Sequence, residues 1–154
     1  TSKRANFQLR SIRLDDVIEA SLLPFLAQID AQNVALQKTL QDNTPSILAD
    51  TDELGQVFSN LFANALFEMK QGGSLSVTLE CDDFEALVTI SDTGDGIPEE
   101  HMNKIFDPFF TTKERGTGFG LSVVLRIVKT YSGRIHVESE PGQGTTFQVW
   151  LPLA

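Results

Sequence analysis

The residue pattern predicts an α+β fold, a two-layer sandwich in which a mixed, mostly antiparallel sheet packs against about three helices. Three observations predict it. Helical and strand periodicities alternate irregularly along the chain, two pairs of alternating strands are joined by short turns, and 41% of 154 residues are hydrophobic. That is enough apolar material for one core and too little for two ordinary domains. Short hairpin turns require antiparallel neighbours, which argues against a doubly wound parallel sheet.

Residues 1–13 are polar with scattered apolar positions and read as a linker or an edge segment; the organised domain is expected over residues 14–154. Thr1-Ser2-Lys3-Arg4 has no apolar run after it and reads as the cut edge of a larger protein, not as a signal peptide. From Leu14 to Ile29, Val17, Ile18, Ser21, Leu22, Phe25, Leu26 and Ile29 recur at three- and four-residue spacing, an amphipathic helix that Pro24 can kink. Asn33 to Leu40 alternates as a half-buried strand, Asp42-Asn43-Thr44-Pro45 is turn material, and Ser46 to Ala49 is a short strand.

Asp50 to Lys70 is the strongest helix. Asp50 and Glu53 have capping-box spacing, Leu54, Val57, Phe58, Leu61, Ala65 and Met69 form its apolar stripe, and Gly72-Gly73 ends it. Leu75/Val77/Leu79/Cys81 and Phe84/Ala86/Val88/Ile90 alternate on either side of Asp82-Asp83, a hairpin. Ser91 to Gly120 reads as a long loop with one helical turn near residues 99–104. A helix follows from about Phe119 to Tyr131, carrying Leu121, Val124, Leu125 and Val128. Ile135/Val137 and Phe147/Val149/Leu151 close the chain around Pro141-Gly142-Gln143-Gly144.

Twelve Lys+Arg against 21 Asp+Glu give a net charge of −9, which disfavours nucleic acid and anionic membranes as partners. No apolar run approaches the roughly 20 residues of a membrane helix. Cys81 stands alone, so no internal disulfide can form, which suits a reducing compartment. These features predict a cytoplasmic domain, whose parent protein can still be membrane-anchored.

Some 30 residues of loop inside a compact domain usually mean a lid or a binding loop. Two glycine clusters frame it: Asp92-Thr93-Gly94-Asp95-Gly96 at a strand end, and Gly116-Thr117-Gly118-Phe119-Gly120 at a helix start. Glycines at a helix N-terminus expose N–H groups that can hold phosphate oxygens, although glycines also simply make turns. No Gly-Lys-Ser/Thr follows, so this is not a P-loop, and the second cluster lacks the last glycine of the dinucleotide fingerprint. Asn60 and Asn64 are four apart, so their amides share one helix face. They can be an exposed pair on the wet side, or a carboxamide oxygen there can be a hard ligand for Mg²⁺.

Taken in order, these strings resemble the catalytic, ATP-binding domain of sensor histidine kinases, within the gyrase-, Hsp90-, kinase- and MutL-like ATPases. Gln56-Val57-Phe58-Ser59-Asn60-Leu61-Phe62-Ala63-Asn64-Ala65 resembles the asparagine box. Asp92-Thr93-Gly94-Asp95-Gly96-Ile97-Pro98 resembles the first glycine box, Ile105 to Lys113 the phenylalanine box, Gly116 to Ser122 the second glycine box, and Gly142 to Phe147 the terminal strand motif. The resemblance covers about Phe7 to Pro152 and implies the Bergerat-type ATP-binding fold.

It also implies roles. Asp92 would accept a hydrogen bond from the adenine amino group, and Gly94 and Gly96 would let backbone pass close to the base. Asn64 would ligate Mg²⁺ at the phosphates, with Asn60 supporting the phosphate or metal shell. Thr117, Gly118, Phe119, Gly120 and Leu121 would form the phosphate-binding turn, with Gly118 and Gly120 presenting N–H groups. Thr145 would supply another polar contact near the base or serve as a plain strand residue. Phe106, Phe109 and Phe110 would anchor a lid that, without ATP, is expected to be mobile from Ile97 to Arg115. Lys113, and less so Arg115, would place a cation near the γ-phosphate; loop cations are also often just solvated.

The sequence departs from the family pattern in places. Phe67 stands where many members carry a charged residue, so Lys70 or the lid would have to supply any cation needed there, and Glu68 follows it. Phe119 replaces the commoner Leu. The hydrolysing relatives carry a glutamate four residues before the Mg²⁺-ligating asparagine; Asn60 stands there, and an amide cannot act as a base, which favours transfer over hydrolysis. His101 and His136, the two histidines, lack an acceptor pattern. The resemblance therefore implies a kinase that takes ATP and Mg²⁺ and phosphorylates a histidine on a separate dimerisation domain of the same parent protein, in a two-component system ending at a response regulator. The domain by itself is expected to be a monomer. Two other readings are a degenerate nucleotide-binding regulatory module without transfer, for which Phe67 speaks, and a serine kinase of the anti-sigma type.

Overall fold

A computed structural model describes residues 7–108, 110 and 120–154. The chain enters through β1 (Arg10–Ile12), which pairs antiparallel with β3 (Ile47–Ala49) as a small two-stranded sheet. The main sheet has five strands in the order β2-β4-β5-β7-β6. β2 (Val34–Leu40) lies parallel to β4 (Gly73–Cys81) at one edge, and every other pairing is antiparallel: β4 with β5 (Glu85–Asp92), β5 with β7 (Gly144–Pro152), and β7 with β6 (Arg134–Glu140). The helices are α1 (Leu14–Leu22), α2 (Leu26–Ala31), α3 (Thr51–Phe67) and α4 (Gly120–Thr130). The expected α+β sandwich with a mixed, mostly antiparallel sheet is the fold observed.

One face of the sheet is apolar because its strands alternate. Leu75, Val77 and Leu79 on β4, Ala86, Val88 and Ile90 on β5, and Phe147, Val149 and Leu151 on β7 are buried. Against them lies α3, flanked by α1 and α4. α3 buries Leu54, Val57, Phe58, Leu61, Phe62, Ala65 and Leu66, among the core's largest enclosed side chains. Fully burying one such side chain is worth about 1.5–3 kcal/mol, so α3 contributes a large share of the fold's driving force.

Three sequence expectations shift. The helix from Leu14 is interrupted at Pro24 by a 3₁₀ turn, Leu23–Phe25. Three residues per turn move the following helix out of phase, so Leu26 faces solvent instead of the core. Phe84, expected to point inward, lies in the hairpin turn and is 80% exposed; Asp82 Oδ1 accepts N–H bonds from Phe84 and Glu85, both at 2.8 Å, and the strand starts one residue later. On α4 the apolar stripe includes Ile127, while Leu125 is only half-buried.

The segment after β5 is fastened at its near end. Ile97 and Ile105 are buried, a 3₁₀ turn forms at Glu99–His101 where one helical turn was expected, and Phe106 and Phe110 pack on the core. Phe106 and Phe110 thus sit where anchoring aromatic residues were expected, while Phe109 and residues 111–115 lie outside the described residues.

Candidate functional site

The apolar face of the sheet turns polar at one end. Register places Asp92, the last residue of β5, opposite Thr145 on β7, and Thr145 opposite Ser139 on β6. Directly opposed residues point to the same side of a sheet, and Asp92 and Thr145 alternate in phase with Ile90 and Phe147. Both are buried, Asp92 at 6% exposure and Thr145 at 2%. A carboxylate on a core face must be held: the Gly94 N–H donates to Asp92 Oδ1 at 2.8 Å.

The first glycine cluster is wedged between the end of α3 and the β6–β7 turn. A Cβ on Gly94 would lie 2.6 Å from both Cβ and the carbonyl oxygen of Glu68. Gly96, at φ +77°, would place a Cβ 2.3 Å from the Glu140 carbonyl oxygen. The Gly142 N–H donates to the Asp95 carbonyl at 2.7 Å, and the Ile97 N–H to Ser139 Oγ at 2.7 Å. The close approach these glycines permit here is thus to the protein's own backbone, and it locks the turn that carries Asp92.

α3 starts where Asp50 accepts the Glu53 N–H at 3.0 Å. Burial raises the Asp50 carboxyl, but backbone N–H groups of Gln8, Glu53 and Asp52 outweigh it and hold it below its ordinary range. The other half of the capping box is relayed: Tyr131, just past α4, accepts the Asp50 N–H at 3.0 Å and donates to Glu53 Oε1 at 2.6 Å. Ten residues along α3, Asn60 Nδ2 donates to the Gly120 carbonyl at 3.1 Å. α4 is therefore tied to α3 at both of its own ends, and the second tie fixes its first residue, in the second glycine cluster. Asn64 lies one turn further on the same face and is half-buried.

An open cleft of about 690 Å³ lies beside these groups, with Phe67, Glu68, Lys70, Asp95, Gly96 and His101 among its walls. Lys70 Nζ sits 4.3 Å from the centroid of the Phe67 ring, a cation–π contact that carries positive charge to the Phe67 position. A larger groove, about 870 Å³, lies at the far end of α3 among Val17, Asp50, Glu53 and Arg126, away from the glycine clusters.

Of the residues singled out from sequence, Asn60, Asn64, Asp92, Gly94, Gly96, Gly120, Leu121 and Thr145 are described. The Leu121 side chain is buried in the core, so its backbone is what it can offer a ligand. Phe109, Lys113, Arg115, Thr117, Gly118 and Phe119 lie outside the described residues. His101 packs edge-on against Phe110 at 5.3 Å, and the His136 ring sits 3.4 Å from a Glu138 carboxylate oxygen. Sequence reasoning passed over Ser139 and Tyr131. Ser139 alternates in phase with Ile135 and Val137, a signal that already turned it inward; nothing local marked Tyr131.

Among the described residues no group of three or more His, Cys, Asp or Glu is arranged to hold a metal. The donor set fits a magnesium ion shared with a ligand better than a protein cage: Asn60 and Asn64 offer amide oxygens, and Mg²⁺ usually keeps waters and takes phosphate oxygens.

Comparison with known proteins places this arrangement. Residues 49–154 match the family model of the histidine kinase-, DNA gyrase B-, and HSP90-like ATPases. Sensor histidine kinase ZraS of Escherichia coli (strain K12) is 38% identical over 151 residues, 98% of this chain. The chain spans 32% of that protein's length. The nucleotide-free catalytic domain of histidine kinase ThkA superposes with a TM-score of 0.86 at 30% identity, covering 95% of this chain and 98% of that one. ThkA in complex with the response regulator TrrA matches with a TM-score of 0.81 at 27% identity, over 96% of this chain and 42% of that one.

Proposed function

The chain belongs to the histidine kinase-, DNA gyrase B-, and HSP90-like ATPase family, as a histidine kinase catalytic domain, and from this premise we propose that it binds Mg·ATP at the polar end of the sheet and passes the γ-phosphoryl group to a histidine on a separate dimerisation domain, in a two-component system. The observation that carries the reading is the buried Asp92 carboxylate, held by Gly94 at the end of an otherwise apolar sheet face. An ionised carboxylate only accepts hydrogen bonds. The adenine amino group supplies a donor, whereas the oxo group of guanine would meet it lone pair to lone pair.

The phosphates would lie toward α4, where the Asn60 tie to Gly120 holds the glycine-rich helix start. Magnesium would be held by the Asn64 amide with phosphate oxygens and water, and it would neutralise phosphate charge. Asn60 cannot take a proton from water, so the site lacks the base that hydrolysis needs at this position. What remains is positioning and electrostatics, the usual means of phosphoryl transfer. Lys113 is proposed to meet the γ-phosphate from the lid. Lys70, seated on the Phe67 ring, supplies charge where Phe67 has none, which supports a working kinase over a degenerate binding module. The acceptor histidine would belong to a dimerisation domain of the same parent protein, and a response regulator would take the phosphoryl group onward. Among the described residues no helix is long and apolar enough to cross a membrane.

Titration calorimetry with Mg·ATP tests the site. Asp92→Asn and Asn64→Ala are each expected to weaken binding by roughly a hundredfold, two hydrogen bonds' worth or a lost metal ligand, with circular dichroism unchanged. Unaltered affinity in both variants would overturn the assignment. Labelled ATP and the dimerisation domain test transfer: acid-labile phosphate on histidine is expected, and acid-stable phosphate on a serine would point to a serine kinase instead.

A further inference from the structure

Ser139 stands third in the polar row, across from Thr145, which stands across from Asp92. Three groups converge on its Oγ: the Ile97 backbone N–H at 2.7 Å, the Gly144 carbonyl oxygen at 3.0 Å and Thr145 Oγ1 at 2.9 Å. A serine hydroxyl has one proton and two lone pairs. The N–H can only donate, so it takes one lone pair. The carbonyl has no proton to give, so the arrangement that satisfies all three partners sends the serine proton to it. One lone pair is left, and the Thr145 proton fills it. This assignment satisfies every partner, in keeping with described residues among which no buried side-chain nitrogen or oxygen lacks one. Its consequence lies on the other side of Thr145. With its proton committed to Ser139, the buried threonine oxygen has only lone pairs left to offer.

We infer that Ser139 is a positioning residue for nucleobase specificity: by holding the Thr145 proton it makes Thr145 an acceptor beside the acceptor Asp92, so the polar end of the sheet selects a 6-amino purine over a 6-oxo purine. The inference rests on the nucleotide-binding reading above. A 6-amino group brings N–H donors to these two acceptor side chains. A 6-oxo group brings lone pairs to the same two side chains, opposed to theirs. Discrimination by such a mismatch is strong because the wrong ligand leaves buried acceptors opposed. Without the Ser139 hydroxyl, the Thr145 hydroxyl is free to turn and donate to an oxo group. Ser139 thus excludes that base without touching it.

Ser139 also holds the Ile97 N–H, so its loss will weaken both nucleotides to some extent; the ratio of their affinities separates the two effects. The experiment measures the Kd of Mg·ATP and Mg·ITP by calorimetry for the wild type, Ser139→Ala and Ser139→Thr. The wild type is expected to prefer ATP. Ser139→Ala is expected to narrow the ATP:ITP ratio by roughly tenfold, one redirected hydrogen bond, and Ser139→Thr to restore it. A Ser139→Ala protein that binds ATP with the wild-type ratio overturns the inference. If Ser139→Ala does not fold, Thr145→Val, which removes the acceptor at nearly constant volume, is expected to narrow the ratio likewise, and an unchanged ratio there overturns it equally. A wild type that binds neither nucleotide would remove the nucleotide reading itself, and this inference with it.

Discussion

Changing Tyr131 to phenylalanine deletes one oxygen and leaves the ring in place. That oxygen accepts the Asp50 N–H at 3.0 Å and donates to Glu53 at 2.6 Å, closing the corner where α3 begins and α4 ends. A neutral hydrogen bond contributes about 1 kcal/mol net and one to a charged group about 1.5–3 kcal/mol. Tyr131 and Glu53 are half-buried, so water recovers part of this, and a loss of roughly 1.5–2.5 kcal/mol is expected. For a chain of this length that lowers Tm by roughly 3–10 °C. The pH dependence sharpens the test. Burial, and then the hydrogen bond to Glu53, push the Tyr131 hydroxyl up to about 12, against about 10 in an unfolded chain. Below pH 10 both states keep the proton and the contribution is complete. Between about pH 10 and 12 only the unfolded state ionises, so stability falls as pH rises. Solvent exposure limits this part to roughly 1 kcal/mol. Tyr131 is the single tyrosine, so Tyr131→Phe should lack this component entirely. Urea unfolding of both proteins at about pH 8 and across pH 10–12 reads it. Parallel alkaline losses in the two proteins, or a Tm at pH 8 that does not move, would refute the reasoning.

Two glycines separate backbone strain from crowding. Gly96→Ala meets the Glu140 carbonyl oxygen at φ +77° and should cost about 3 kcal/mol or more, while Gly142→Ala, at φ +81° with nothing within 4 Å, should cost about 1 kcal/mol; equal urea midpoints for the two would contradict the wedge. Asn60→Ala removes the tie to Gly120 and should speed amide exchange in the first turn of α4 by roughly fivefold to tenfold. Exchange near Tyr131 should stay as it was, and a uniform change along α4 would argue against a local tie.

Much of the fold can be read from the chain because its signals are local. The Asp50 cap, the apolar stripe of α3 and the alternation of β4, β5 and β7 are each decided within a few residues. The phase errors at Leu26 and Phe84 arise where a 3₁₀ turn or an Asp82 side chain resets the count by one. The sheet order brings Asp92 beside Thr145 across more than fifty residues, and no periodicity reports such a distance. The motif strings marked Asp92, Asn60 and Asn64 as candidates, yet the Tyr131 relay and the Ser139 junction are tertiary: the first joins the end of α4 to the start of α3, and the second joins the β6–β7 hairpin to Ile97. The glycines show the same limit. Their presence between β5 and the lid is plain in the sequence, but the carbonyls they press against belong to Glu68 and Glu140.

That wedge has an evolutionary consequence. Gly94 and Gly96 fit against backbone, and a Cβ on Gly144 would lie 2.0 Å from the Asp92 carbonyl oxygen, so folding alone obliges a descendant to keep them whether or not it still handles nucleotide. Asp92 and Thr145 occupy inward positions in phase with Ile90 and Phe147, where the fold requires burial but does not itself require a carboxylate or a hydroxyl. A lineage released from its chemistry would drift there first, toward valine or isoleucine, while its glycines stayed in place.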